Sequence, residues 1–274
     1  MAERLALIAG TGALVPEVIA AARQKGFELK LLTLGRSGDL LGYEPVRFSL
    51  SEPQVAVDAI KAFGATRFAM AGGVSLSDMV REGLAGFFGG ASKSGQSIGD
   101  TSISDLVRRL EDMTGARPMG VHEIATELLA PAGLIGGPEP GTPVRDTAAL
   151  ALSLARRAGQ LDLGQAVVVA GQRAIAAEDV GGTDALLRRV WWLRLKRLVA
   201  DGKASPLVLA KCPKPDQPLF IDLPAIGPRT VRNAARSGVC AIAVEAGGTL
   251  LIQRTMIKAE ADRLGVSVVG LPNG

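Results

Sequence analysis

Apolar and polar positions are distributed along the chain in blocks, and their lengths predict strands and helices in turn. Leu5 to Ala9 is a continuous apolar run, closed by Gly10-Thr11-Gly12 and followed by a helical pattern from about Val15 to Gln24. Pro16 suits a first helical turn and Gly26 a stop. Glu28 to Leu34 predicts a second strand. Ser51-Glu52-Pro53-Gln54 has capping-box spacing and opens a helix that stops at Gly64. Phe68 to Ala71 predicts a third buried strand, ending in Gly72-Gly73. This repetition of strand, loop and helix predicts a parallel sheet wrapped by helices. From Gly83 to Gly99 the periodicity fails, since six of the 17 residues are glycine and three are serine. A mobile loop is the expectation there. A helix over about Ser104–Met113 and a short segment at Pro118–Val121 then lead to His122.

The second half is patterned differently. Pro131 to Pro143 holds eight Gly or Pro in 13 residues, which predicts a domain boundary. A helix around Asp146–Ala158 follows, then a strand pair at Ala166–Ala170 and Arg173–Ala177 that turns at Gly171. Gly181-Gly182-Thr183-Asp184 opens a helix reaching about Ala200. Further strands are expected at Leu207–Ala210, Val239–Val244 and Val266–Val269, with helices starting at Pro228 and near Met256. The expected fold is α/β in two domains. A Rossmann-like parallel-sheet domain covers residues 1–132, a Gly/Pro linker 133–143, and a mixed α/β domain 144–274.

Composition narrows the chemistry. A single histidine, His122, excludes zincin helices and histidine cages, and two cysteines exclude a zinc ribbon or a disulfide framework. Catalysis must rest on carboxylates, Lys/Arg, hydroxyls, backbone amides and a hard metal. With 31 Lys+Arg against 27 Asp+Glu the net charge is +4, which favours anionic ligands. Seven Phe, two Trp and one Tyr offer few stacking platforms, so nucleic acid is not the expected partner. The early Glu3, Gly10, Gly12 and Pro16 suit neither a signal peptide nor a spanning helix. A soluble protein in a reducing, cytoplasmic setting is expected.

Several segments could carry the chemistry. Gly10-Thr11-Gly12 lies between a strand and a helix, where backbone amides can meet an anion. Position 15 is Val, so the dinucleotide fingerprint is incomplete, and no P-loop lysine follows. Gly72-Gly73 with Ser75 repeats the geometry after a later strand. Tight turns of an open sheet are the competing reading for both. Glu178-Asp179-Val-Gly-Gly-Thr-Asp184 sets three carboxylates and a hydroxyl around two glycines at a helix start. Such hard oxygen ligands suit Mg²⁺ (or Mn²⁺) when a substrate supplies phosphate oxygens, whereas Thr183 or Asp184 alone could simply cap the helix. Gly182 is the second of the two glycines, and Arg188 lies four residues after Asp184 on the same helix face. Lys211, Lys214 and Gln217 form a candidate phosphate clamp before Asp222, Ala225 and Thr230. Ala225 is conspicuous because an acid would be useful there. His122 could be an acid or base, a uracil contact, or a structural residue at a strand end. The helix over Leu186–Leu198 places Arg188, Arg189, Arg194, Lys196 and Arg197 around Trp191 and Trp192. It reads either as a core helix with a cationic face or as contact with a membrane surface or a lipid ligand.

Taken in order, seven runs resemble the UDP-2,3-diacylglucosamine pyrophosphatase family of the LpxI type. They are Leu7-Ile-Ala-Gly-Thr-Gly12, Met70-Ala-Gly-Gly-Val-Ser75, the run from Val121-His-Glu to Gly133, Asp162–Val169, Glu178–Arg188, Lys211–Gln217 and Asp222–Pro228. The more usual Glu-Gly-Thr-Asp stands here as Val180-Gly-Gly-Thr-Asp184, one carboxylate short. The resemblance implies a Rossmann-like first half and substrate held between two domains. It further implies Mg²⁺-dependent hydrolysis of UDP-2,3-diacylglucosamine to UMP and 2,3-diacylglucosamine 1-phosphate, in lipid A biosynthesis, with water directed at the sugar-side phosphorus. Glu178, Asp184 and Asp222 are then the candidate metal or water-activating acids, and Lys211 the candidate catalytic cation. If the family carries an acid where Ala225 stands, this chain is catalytically impaired. A homodimer and a peripheral position on the inner membrane complete the expectation. The rival readings are a non-catalytic nucleotide-sugar or lipid binding protein and a nucleotide-cofactor enzyme.

Overall fold

A computed structural model describes residues 2–34, 40–49, 52–73, 100–161, 163–199, 205–214 and 223–272, with the backbone alone over 100–106. Ser51, Ser75, Gln217, Asp222 and the loop expected over Gly83–Gly99 lie outside the described residues. The described chain forms two compact units, one ending at Thr126 and the other beginning at Glu127.

In the first unit, strands β1 (Arg4–Ala9), β2 (Glu28–Leu34), β3 (Val46–Phe48), β4 (Arg67–Ala71) and β5 (Arg117–Pro118) form a parallel sheet ordered β3-β2-β1-β4-β5. Helix α1 (Leu14–Gln24) returns the chain to one side of β1, and α2 (Gln54–Phe63) to the other, where β4 pairs. The order of connection therefore reverses between β1 and β4, the position at which open α/β sheets form a crevice. Ala6, Ile8, Leu32 and Phe68 pack with Ala56, Val57 and Ile60 of α2, and with Val107 and Leu110 of α3 (Asp100–Thr114). The α2 positions 56, 57 and 60 have the spacing of a single helical face. Gly64 ends α2 in the left-handed conformation, φ 67°, the stop expected at that glycine. The three-residue β3 was not expected, being too short and too polar to show a strand period.

The second unit is a six-stranded mixed sheet ordered β6-β13-β11-β9-β7-β8. Its centre is parallel: β9 (Leu207–Lys211), β11 (Ala241–Glu245) and β13 (Ser267–Leu271). Antiparallel strands flank it, with β6 (Gly133–Gly136) on β13 and the hairpin β7 (Ala166–Ala170)–β8 (Arg173–Ala177) on β9. Alternation along the strands divides the core. Val168, Leu209, Ile242, Val244 and Val268 face α6 (Gly182–Leu195), α7 (Pro228–Arg236) and α8 (Arg254–Leu264). Val167, Val169, Val208, Ala210 and Ala243 face α5 (Thr142–Gln160), which meets them with Ala148, Ala151, Leu152 and Ala155. Three alanines in that stripe let the helix lie close to the sheet. A two-residue parallel pair, β10 (Ala225–Ile226) with β12 (Leu250–Leu251), stands apart from the main sheet. Between α3 and α5 the chain also makes one short helix, α4 (Val121–Ile124).

The stretch 133–143, expected as a linker, is built into this second unit. Gly133–Gly136 is the edge strand β6, and Thr142 already begins α5. The Gly137 amide donates to Asp262 Oδ1 at 2.7 Å and the Ser267 hydroxyl to the Pro138 carbonyl at 2.7 Å. A Cβ at Gly136 would meet Lys258 Cα at 2.9 Å, so glycine here serves close packing against α8 rather than flexibility. Among the described residues, no helix is long and apolar enough to cross a membrane.

Glu260 ties α8 to α7 by accepting from Arg232 Nη1 at 2.9 Å, and it accepts again from Arg263 Nη2 at 2.6 Å. These bonds, Arg263 first and Arg232 second, hold its carboxyl below the ordinary 4.5. A carboxyl depressed by folding adds stability above its unfolded pKa, and loses it as pH falls through the folded value. Glu260→Gln is therefore expected to be less stable than the parent in urea at neutral pH, with the gap closing as pH drops below 4.5. A gap of constant size down that range would count against the assignment.

Candidate active site

The densest polar arrangement in the second unit lies at the carboxyl end of β9. Lys211 is the last residue of that strand, paired with Val244, and its side chain faces the layer of α6 and α7. A lysine ammonium carries three protons and no acceptor, so it must find oxygens when half-buried. It donates to Thr183 Oγ1 at 3.0 Å and to the carbonyl of Ala225 at 3.3 Å. The third proton is left for an incoming anion. Thr183 stands in the first turn of α6, and its own hydroxyl proton goes to Glu178 Oε1 at 2.6 Å. Glu178 follows directly on β8, and its other oxygen accepts from the Gln165 amide at 2.9 Å. Glu178, Thr183 and Lys211 thus form one chain of hydrogen bonds in which the hydroxyl orientation is determined at both ends.

Asp184, the next residue of α6, belongs to a second group. Its Oδ1 accepts from Asn233 Nδ2 at 2.9 Å and its Oδ2 pairs with Arg229 Nη2 at 2.8 Å. The same-face partner expected for Asp184 was Arg188. The carboxylate turns instead to α7, and Arg188 is exposed one turn further along α6. Arg229 and Asn233, four residues apart on α7, were not singled out in the sequence; that spacing on a helix opened by Pro228 was the available signal. The Gly227 amide donates to Thr230 Oγ1 at 3.3 Å, so Thr230 serves the start of α7. Two helix amino-termini, α6 and α7, are joined by the Asp184 contacts near Lys211. Their unpaired amides and dipoles favour negative charge. Gly182 opens α6 with φ 73° and no atom within 4 Å of where a Cβ would stand, which leaves backbone approach open. Lys214 is half-buried three residues beyond Lys211.

The chemistry of the donors bears on a metal. Both Glu178 oxygens accept hydrogen bonds from within the fold, so Glu178 does not fit as a ligand. Asp184 does: its side chain is 44% exposed, and its Arg229 partner, 76% exposed, can be displaced. Among the described residues there is no group of three or more His, Cys, Asp or Glu able to hold a metal ion.

Ala225 contributes through its backbone. Its carbonyl receives the Lys211 proton, a task independent of side-chain type. Cys212 follows Lys211 but points to the opposite face, beside Glu245 and Arg156. Burial, and then the Glu245 carboxylate, push its thiol up to about 12. It is no nucleophile at neutral pH.

In the first unit, the two glycine turns close on each other. Gly10 N donates to the Ala71 carbonyl at 2.8 Å, while Thr11 N and Gly73 N exchange bonds with the Gly73 and Thr11 carbonyls, each at 2.9 Å. A Cβ on Gly10 would stand 2.5 Å from the Gly73 oxygen, and one on Gly72 2.7 Å from the Thr11 oxygen. The requirement for glycine at 10 and 72 is thus mutual backbone approach. Gly12, with φ 104° and open space around it, is the member free to face a ligand at the β1/β4 crevice. His122 lies on α4, and its Nδ1 is buried without a hydrogen-bond partner among the described residues.

Two outcomes check this geometry. Gly10→Ala should cost about 1–3 kcal/mol in denaturant unfolding through overpacking; an unchanged midpoint would contradict the close approach. Iodoacetamide at pH 8 should leave Cys212 unmodified until the protein is unfolded, and rapid native labelling would refute its burial.

Comparison with known proteins followed these observations. Residues 4–128 match the model described as the LpxI N-terminal domain, and residues 131–269 that of the LpxI C-terminal domain. The chain is 33% identical over 279 aligned residues to the UDP-2,3-diacylglucosamine pyrophosphatase LpxI of Caulobacter vibrioides, covering 98% of this chain and 97% of that relative.

Proposed function

Because the chain belongs to the LpxI family along nearly its whole length, we propose that it hydrolyses the pyrophosphate of UDP-2,3-diacylglucosamine to UMP and 2,3-diacylglucosamine 1-phosphate in lipid A biosynthesis. It is a hydrolase acting on a pyrophosphate bond. The observation that carries the reading is Lys211, held by Thr183 and Ala225 with one proton unspent beside two helix amino-termini. A pyrophosphate carries two negative charges and gains more as a P–O bond breaks. A preorganised ammonium and helix amides stabilise that increase without rearrangement. Thr183 is fixed by Glu178, so the ammonium is aimed before substrate arrives.

Asp184 is our candidate for orienting the attacking water. The water oxygen bonds to phosphorus, the bridging oxygen leaves with the other phosphate, and the protons released pass to solvent. Arg229 and Asn233 hold the Asp184 carboxylate in place and give Arg229 a route to the phosphates. Arg188, Lys214 and Thr230 line the same helix-start region in the reading, and Gly12 and His122 serve the nucleotide side. We propose further that Mg²⁺ or Mn²⁺ assists, with Asp184 as the described residue that would hold it. A divalent cation there would offset pyrophosphate charge.

The test is UMP release from UDP-2,3-diacylglucosamine dispersed in detergent. Lys211→Met should lower kcat by about 10²–10³ with the fold intact. EDTA should suppress turnover, and Mg²⁺ or Mn²⁺ restore it. Substrate recovered intact under every metal would leave the non-catalytic binding reading in its place. Ala225→Asp is a separate arm: higher turnover in that variant would mark the parent as impaired by a missing acid. Activity unchanged in Lys211→Met would overturn the site.

A further inference from the structure

Helix α6 has a second apolar face that the core does not use. Leu186, Leu187 and Val190 are buried, as a core helix requires. Trp191 and Leu195, one turn apart, are 49% and 63% exposed, and Trp192 beside them is 49% exposed. Leu198, just past the helix end, is 67% exposed. Leu198 also lines a groove of about 280 Å³ with Ala174, Ile175, Leu193 and Val199, and Arg173 at its edge. The apolar strip therefore runs from the helix into the groove. Such a patch on a folded unit marks an interaction surface.

The charges around the strip decide what covers it. Between Ala185 and Val199 the sequence has no Asp or Glu but carries Arg188, Arg189, Arg194, Lys196 and Arg197. Arg188, Arg189, Lys196 and Arg197 are exposed. Lys196 Nζ stands 5.9 Å from the Trp192 ring centroid, so the cation borders the aromatic surface directly. Indole rings with cations at their margin suit the boundary between phospholipid headgroups and acyl chains, and cations favour anionic lipid there.

We propose that this exposed face of α6 docks on an anionic phospholipid bilayer. The proposal deepens the preceding reading, and rests on it only for the nature of the substrate. Thr183 and Trp191 are eight residues apart on one helix, about 12 Å along its axis. A lipid drawn from the bilayer at the tryptophan face needs to reach only that far to bring its phosphates to the start of α6.

The whole protein, mixed with vesicles of zwitterionic lipid or of the same lipid part-replaced by phosphatidylglycerol, tests this. The protein should sediment with the anionic vesicles and lose them as salt rises. Trp191 and Trp192 are the only tryptophans in the chain, so their fluorescence should shift to the blue on binding. A Trp191→Ser/Trp192→Ser variant should bind about tenfold more weakly or less. Lys196→Gln/Arg197→Gln should weaken binding and flatten its salt dependence. Both variants should turn over detergent-dispersed substrate like the parent. Absence of binding to anionic vesicles, no shift in tryptophan emission, or equal binding by the serine variant would overturn the proposal. So would light scattering showing that the serine variant turns a dimer into monomers without any vesicle binding in the parent, since a second copy would then cover the face. Failure of the parent to release UMP in detergent would strike the hydrolase reading alone.

Discussion

A lysine at the end of a buried strand imposes the arrangement on which the rest of the second unit depends. Lys211 leaves β9 with its stem among core side chains and its charge directed at the layer of helices. Three protons then need oxygens in a place where water is scarce. The hydroxyl of Thr183 and the carbonyl of Ala225 answer two of them. To present that hydroxyl, α6 must begin at Gly182, and Glu178 must turn inward from β8 to receive the Thr183 proton. To present that carbonyl, the chain before α7 must pass alongside, which the short β10–β12 pairing fixes. A single ammonium thus determines where two helices start.

The same logic explains which parts of the molecule were legible in its sequence. Long apolar runs and their glycine stops gave β1, β2, β4, β7, β8 and β9 with small errors at the ends, because buried strands and helix stops depend on neighbouring residues. The mixed character of the second sheet is not of that kind. Nothing local says that Gly133–Gly136 pairs with a strand more than 130 residues later, and its glycines and prolines imitate a linker. The register Gly136 to Val268 is a long-range fact. Short strands such as β3 and β10 escape for a related reason: two or three residues contain no period.

Site residues divide along similar lines. Glu178, Thr183 and Lys211 were singled out by residue type and do meet, across 33 positions of sequence. The part each plays was not legible, since Glu178 looks like a metal ligand until both its oxygens are seen to accept hydrogen bonds. Asp184 looked paired with Arg188 by helical spacing, yet a neighbouring helix offers Arg229 and Asn233 instead. Gly10 and Gly72 resembled an anion-binding turn. Their glycines answer a backbone collision that becomes visible only when β1 and β4 lie side by side.

The edge strand β6 has a consequence for how the protein is made. The first unit is complete in sequence by Thr126 and can close while the remaining chain is still being synthesised. The second cannot. Its first strand, β6, leaves the ribosome early, but its only sheet neighbour is β13, the last strand of the chain. Until synthesis reaches Leu271, β6 waits with its hydrogen-bonding edge bare, the condition in which a strand is most prone to pair with the wrong chain. The two glycines and the following Gly-Pro segment keep that waiting strand short and poor in side-chain surface.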